Sequence, residues 1–112
     1  MVQEEQNTEN GAGGDGLSEA VTLALRDVVD PELGINIVDL GLVYGVEVEE
    51  AAALITMTLT SPGCPAGGQI MDGARDAAQT VDGIDEATVK LVWKPFWTPD
   101  KIDARVRAMM GF

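Results

Sequence analysis

Residues 43–67 read VYGVEVEEAAALITMTLTSPGCPAG, and two alternating runs within them decide the fold. In residues 43–49, Tyr44, Val46 and Val48 point one way, with Glu47 and Glu49 opposite. In residues 53–60, Ile55, Met57 and Leu59 point one way, with Thr56, Thr58 and Thr60 opposite. Strand side chains alternate between faces, so each run is a strand with one covered side, as in an antiparallel sheet. The connection from Glu49 to Ala52 is short enough to make the pair a hairpin. The second strand then runs into TSPGCPAG, a turn-rich loop that holds the only cysteine of the chain, Cys64.

Working outward, Ile70, Ala74, Ala77 and Val81 recur at helical spacing, and Gly83 follows where a C-cap glycine belongs. Gly67, Gly68 and Gly73 weaken this helix intrinsically, so its order depends on packing against the sheet. A third strand, ATVKLVW, alternates Ala87, Val89, Leu91 and Trp93. A last helix is expected after KPFWTP, with Thr98 as cap, Pro99 at the first position and Asp100 at the positive end. Its buried stripe is Ile102, Val106 and Met109 or Met110, and Gly111 closes it. Upstream, Leu17, Val21, Ala24, Leu25 and Val28 predict a helix over residues 18–29, capped by Ser18 and ended by Pro31. The stretch DPELGINIVDLGLVYG has no clean period and reads as an ordered loop. The order is helix, strand, strand, helix, strand, helix. A helical crossover lets the third strand pair parallel to the second. The fold class is α+β, one small domain with a mixed sheet and helices packed on it.

The chain has 112 residues, 46% of them hydrophobic, which suits one modest core. Its net charge is −12, so nucleic acid and anionic membrane are not expected as direct partners. Only three lysines occur, Lys90, Lys94 and Lys101, a balance compatible with a high-salt cytoplasm as well as with plain solubility. No apolar run approaches the roughly 18 residues of a membrane span. The N-terminus lacks the basic and apolar regions of a signal peptide. One cysteine excludes an intramolecular disulfide, and the expected compartment is the cytoplasm, where a free thiol stays reduced. Residues 1–16 are polar, acidic and glycine-rich, and are expected to be a disordered tail ahead of a domain at 17–112. Gly11, Gly13 and Gly16 match G-x-G-x-x-G, but no hydrophobic strand precedes them, so the match carries no nucleotide-binding meaning.

The chemistry centres on Cys64. Pro65 suits the first position of a helix, which would put Cys64 at or beside the N-cap. Free N–H groups and partial positive charge there stabilise a thiolate. The other reading is a small buried residue in a turn, since free cysteine is among the most buried types. With no histidine, a Cys/His nucleophile pair is excluded, and so is a tetrahedral zinc site held by one chain. Iron or an iron–sulfur cluster would need ligands from a second subunit, a small thiol or a partner. Asp30, Glu32 and Asp39 form a carboxylate group in the first loop, where Asp30 also suits a turn cap. Trp93, Phe96 and Trp97 read either as core of the last crossover or as an aromatic contact surface.

Three segments, VVDPELGINIVDLGLVYGVEVE, MTLTSPGCP and VKLVWKPFWTPDKI, resemble the SufT-like metal–sulfur cluster assembly factors. That family also includes the PaaD proteins and the eukaryotic cytosolic iron–sulfur targeting factors. The resemblance covers residues 18–112 and implies a small α+β maturation factor that helps load clusters onto apo-proteins. It marks Asp30, Glu32 and Leu33, then Thr60 and Ser61, and Cys64 itself as one surface site, with Cys64 the cluster or metal contact. It implies a transient cluster or iron shared between molecules, a homodimer as one arrangement, and the assembly machinery and apo-clients as partners. The extra cysteine-bearing C-terminal region of PaaD proteins is missing, which favours the general branch. On this reading the chain is not an enzyme. The alternatives are a thiol-dependent enzyme with Cys64 as nucleophile, which lacks a histidine base, and a docking module without metal.

Overall fold

The computed structural model describes residues 14–63 and 65–111. The elements run α1 (Gly14–Leu25), β1 (Val29–Asp30), β2 (Ile35–Asn36), β3 (Val43–Glu49), β4 (Ala52–Met57), α2 (Gly67–Gln79) and β5 (Glu86–Leu91). A 3₁₀ turn (Pro99–Lys101) and α3 (Ala104–Met110) follow. β3 and β4 pair antiparallel with Val46 opposite Ile55, and β4 and β5 pair parallel with Ile55 opposite Val89. The sheet order is therefore β3-β4-β5, and α2 is the crossover that makes the last pair parallel. The expected α+β fold with a mixed sheet holds.

The alternation of β4 positions the core. Ala53, Ile55 and Met57 are buried, while Leu54 and Thr56 between them are only half-buried. Fully burying a side chain such as Ile55 contributes about 1.5–3 kcal/mol. α1 lies on β3 and α2 lies on β5, and the helices also touch each other. Val21 and Leu25 of α1 and Ile70, Ala74 and Ala78 of α2 fill the space between helices and sheet. Of the glycines of α2, Gly67 is closely approached, Gly73 only ordinarily, and Gly68 not at all. A Cβ on Gly67 would stand 2.7 Å from Leu59 Cδ1, and one on Gly73 would stand 3.4 Å from Val28 Cγ1.

Several expectations are corrected. α1 starts at Gly14 and stops at Leu25, not at 18 and 29. Leu17 packs against the core, which offsets the poor helix propensity of Gly14 and Gly16 in this first turn. At the other end the ladder tightens: Arg26, Asp27 and Val28 each donate to the carbonyl three residues back. Val29 and Asp30 then leave to pair with Asn36 and Ile35, a hairpin inside the segment expected to be a loop. In β3 the register shifts between Val43 and Gly45, so Tyr44 is the extra residue of a bulge and does not continue the line of Val46 and Val48.

α2 begins at Gly67 with Ala66 as N-cap, so Pro65 precedes the helix and does not open it. The last helix is two pieces. Ile102 is extended (ψ 140°) and buried, which stops the 3₁₀ turn. Asp103 then caps α3 by accepting from the Arg105 N–H. Met109 is 86% exposed and Met110 is also exposed, so neither belongs to a buried stripe. Gly111 does close the helix, at φ 86°. Residues 1–13 and Cys64, on which the tail and thiol expectations fall, lie outside the described residues.

Candidate functional site

Asp30 is 1% exposed, and its Oδ1 accepts from the Glu32 N–H at 2.8 Å and the Leu33 N–H at 3.2 Å. The Gly34 N–H closes the turn onto the Asp30 carbonyl at 2.7 Å, with Gly34 at φ 71°. Asp30 is thus the cap of its own turn, as the Asp-Pro pair allowed. The turn pushes Glu32 and Leu33 outward; Leu33 is 42% exposed, large for a leucine.

Asp39 does not join this group. It accepts from Arg26 Nη1 at 2.7 Å and from Asn36 Nδ2 at 2.9 Å, while Asn36 Oδ1 accepts from the Val38 and Asp39 N–H groups. Of the three carboxylates grouped in this loop, Asp30 and Asp39 therefore brace it. Sequence reasoning passed over Asn36, although asparagine is a familiar turn former through such side-chain bonds.

The second candidate segment leaves the end of β4. Thr58 N–H donates to the Leu42 carbonyl, and Val92 N–H donates to the Met57 carbonyl. The chain is thus flanked on both sides up to Thr58 and released after it. Leu59 is buried, Thr60 is half-buried, and Ser61, Pro62 and Gly63 are exposed. Leu59 and Val28 both pack on α2, at Gly67 and Gly73. Six residues of helix separate those points, about 9 Å of rise. Both candidate loops are therefore anchored beside the first half of α2, one through Val28 and the other through Leu59. Thr58 Oγ1 is buried and, among the described residues, has no hydrogen-bond partner.

Cys64 is not the N-cap of α2. α2 starts three residues beyond it, and its N-cap makes no side-chain bond. A helix end acts within about one turn. Among the described residues no group of three or more His, Cys, Asp or Glu side chains could hold a metal ion. The aromatic trio divides. Trp93 and Trp97 are half-buried against the core, and Trp97 Nε1 donates to the Leu40 carbonyl at 2.7 Å. Phe96 is 64% exposed. No helix among the described residues is long and apolar enough to cross a membrane.

A family model described as an iron–sulfur cluster assembly protein matches residues 18–91. The Fe-S protein maturation auxiliary factor YitW of Bacillus subtilis is 44% identical over 96 residues, 85% of this chain and 94% of that protein. The Fe-S protein maturation auxiliary factor SufT of Staphylococcus aureus is 45% identical over 85 residues, 75% of this chain and 97% of that protein. A domain of unknown function, DUF59, from Bacillus anthracis has a similar structure, with a TM-score of 0.83 at 38% identity, covering 88% of this chain and 95% of that one.

Proposed function

The chain belongs to the iron–sulfur cluster assembly protein family, and we propose from this that it helps mature iron–sulfur proteins, with Cys64 as the contact for the cluster it handles. The cluster is cargo. One thiol and no imidazole per chain cannot hold it alone, so it is shared with a second copy, a small thiol or a partner protein. The observation that supports this use of Cys64 is the exposed, non-strand course of Ser61–Gly63 immediately before it. Thr60 and Ser61 carry the loop away from the sheet, and the Asp30 turn presents Glu32 and Leu33 to the same surroundings along α2.

The protein acts without turning over a substrate, in the cytoplasm, between the assembly machinery and apo-clients. Its working unit is residues 17–112, with α1 reaching back to Gly14, and the segment ahead of it is an acidic tail. The test is genetic and biochemical together. Removing the gene should lower the specific activity of iron–sulfur enzymes while their polypeptide levels hold. Wild type should restore that activity and Cys64→Ser should not. Full restoration by Cys64→Ser refutes the assignment of the thiol.

A further inference from the structure

Charge is unevenly placed along this chain. Residues 1–89 carry seventeen acidic and two basic residues, whereas residues 90–107 carry five basic and two acidic ones. Tyr44, the bulge residue, gathers much of this basic segment. Its hydroxyl donates to the Pro95 carbonyl at 2.7 Å, which brings in Lys94 and Phe96 on either side of Pro95. Lys101 Nζ stands 5.5 Å from the centre of its ring. Lys101 and Arg107 both act on Asp100, whose carboxyl is held below the usual range first by the Thr98 hydroxyl, then by a backbone N–H and those two cations. Lys90 is paired with Thr56, which is paired with Gly45 beside Tyr44, so it lies two strands away, about 10 Å. Among the described residues none of Lys90, Lys94, Lys101 and Arg107 has a carboxylate within ion-pairing distance; the ion pairs use Arg26, Arg75 and Arg105.

We propose that this surface, with exposed Phe96 among Lys94, Lys101 and Arg107, docks a short acidic peptide segment of a partner protein. Cations around an exposed aromatic suit a carboxylate-rich segment that carries an apolar residue. A long polyanion fits less well. It would extend beyond the patch onto a protein of net charge −12, whereas screening over about 8 Å lets a short segment feel the patch alone. The surface is at the end of the sheet where β4 hands over to the Thr60–Pro65 loop, since Val92 is bonded to Met57 there. A segment bound to it is held at the end of the sheet from which Thr60–Gly63 lead on. The inference rests on the maturation reading only for the claim that the segment belongs to a client or carrier.

The test uses the full chain and a short fluorescein-labelled peptide of glutamate and serine with one leucine. Its glutamine counterpart and a single-stranded oligonucleotide of equal length are the comparisons. Anisotropy should show binding of the glutamate peptide, weakening steeply with salt, and little binding of the other two. Amide shifts should move at Lys94, Phe96, Lys101 and Arg107. Lys94→Glu with Lys101→Glu should weaken binding about tenfold or more. The wild-type salt series stands as the second measurement should that variant unfold. Equal binding of the glutamine peptide, tighter binding of the oligonucleotide, shifts confined to other surfaces, or salt-sensitive self-association in place of peptide binding would each overturn the proposal. Cys64→Ser should bind the peptide as wild type does. Loss of cluster handling with binding retained, or the reverse, therefore tells which of the two readings has failed.

Discussion

From Val29 to Leu42 the backbone is held by its own side chains: Asp30 and Asn36 each accept two N–H groups, and Asp39 is paired with Arg26. From Ser61 to Gly63 the chain is exposed, and a Cβ on Gly63 would meet nothing within 4 Å. Both segments are anchored beside α2, through Val28 and Leu59, yet they are built on different terms. In the first, residue identity is set by hydrogen bonds and close approach. In the second, nothing stands within 4 Å of a Cβ on Gly63, so packing sets little there. The Asp30 turn is fixed by its own hydrogen bonds, whereas Ser61, Pro62 and Gly63 stand exposed.

The sharpest way to break this contrast is Gly41→Ala. Gly41 has φ 78°, and a Cβ there would stand 2.2 Å from the Lys101 carbonyl oxygen, a backbone atom that cannot swing away. We expect a loss of about 3 kcal/mol or more in urea unfolding, combining left-handed strain with the clash. A loss under about 1 kcal/mol would mean that the loop is not seated on the C-terminal segment. Asp30→Ala comes next. It strands the Glu32 and Leu33 N–H groups and should cost about 2–3 kcal/mol, with Asp30→Asn milder because an amide oxygen still accepts. Equal losses for the two variants would show that the negative charge matters more than the turn.

Thr58→Val separates core from site. A buried hydroxyl without a partner costs about 1–3 kcal/mol, so the valine, of nearly the same shape, should be about 1 kcal/mol more stable. A destabilised Thr58→Val would reveal a hydroxyl contact. Gly63→Ala should be the smallest effect. It lies within about 0.5 kcal/mol of wild type and leans to greater stability, because alanine narrows the unfolded ensemble. A large loss would place the cysteine loop with the rigid segment and remove the contrast.

How far the residues reveal this arrangement follows from which patterns are local. Ile55, Met57 and Val46 alternate cleanly, so β3, β4 and the parallel return to β5 were legible. The turn formed by Asp30 was legible too, since aspartate before proline has a short-range bond to make. Features that depend on distant partners were not. Gly67 lets Leu59 approach α2 closely, and nothing in SPGCPAGG says so. Pro65 fits a turn as well as a helix start, and the turn is what forms. Ile102 breaks the last helix because the core requires it in an extended conformation. Asp103, not Thr98, is the residue whose side chain caps α3. The bulge at Tyr44 changes the direction of one residue and with it the meaning of Lys94 and Lys101. Gathering the candidate loops along α2 required Val28 and Leu59 to be seen against the same helix.

The central claim is that the exposed loop, not the rigid turn, supplies the cargo contact. Anaerobic reconstitution of the full chain with iron and sulfide, read by visible absorption and by iron per chain, tests it most directly. Wild type should acquire colour with less than one cluster per chain, accompanied by association or by a requirement for added thiol. Cys64→Ser should stay colourless at an unchanged unfolding midpoint, and Asp30→Asn should still load. Colour in folded Cys64→Ser equal to that of wild type would contradict the account.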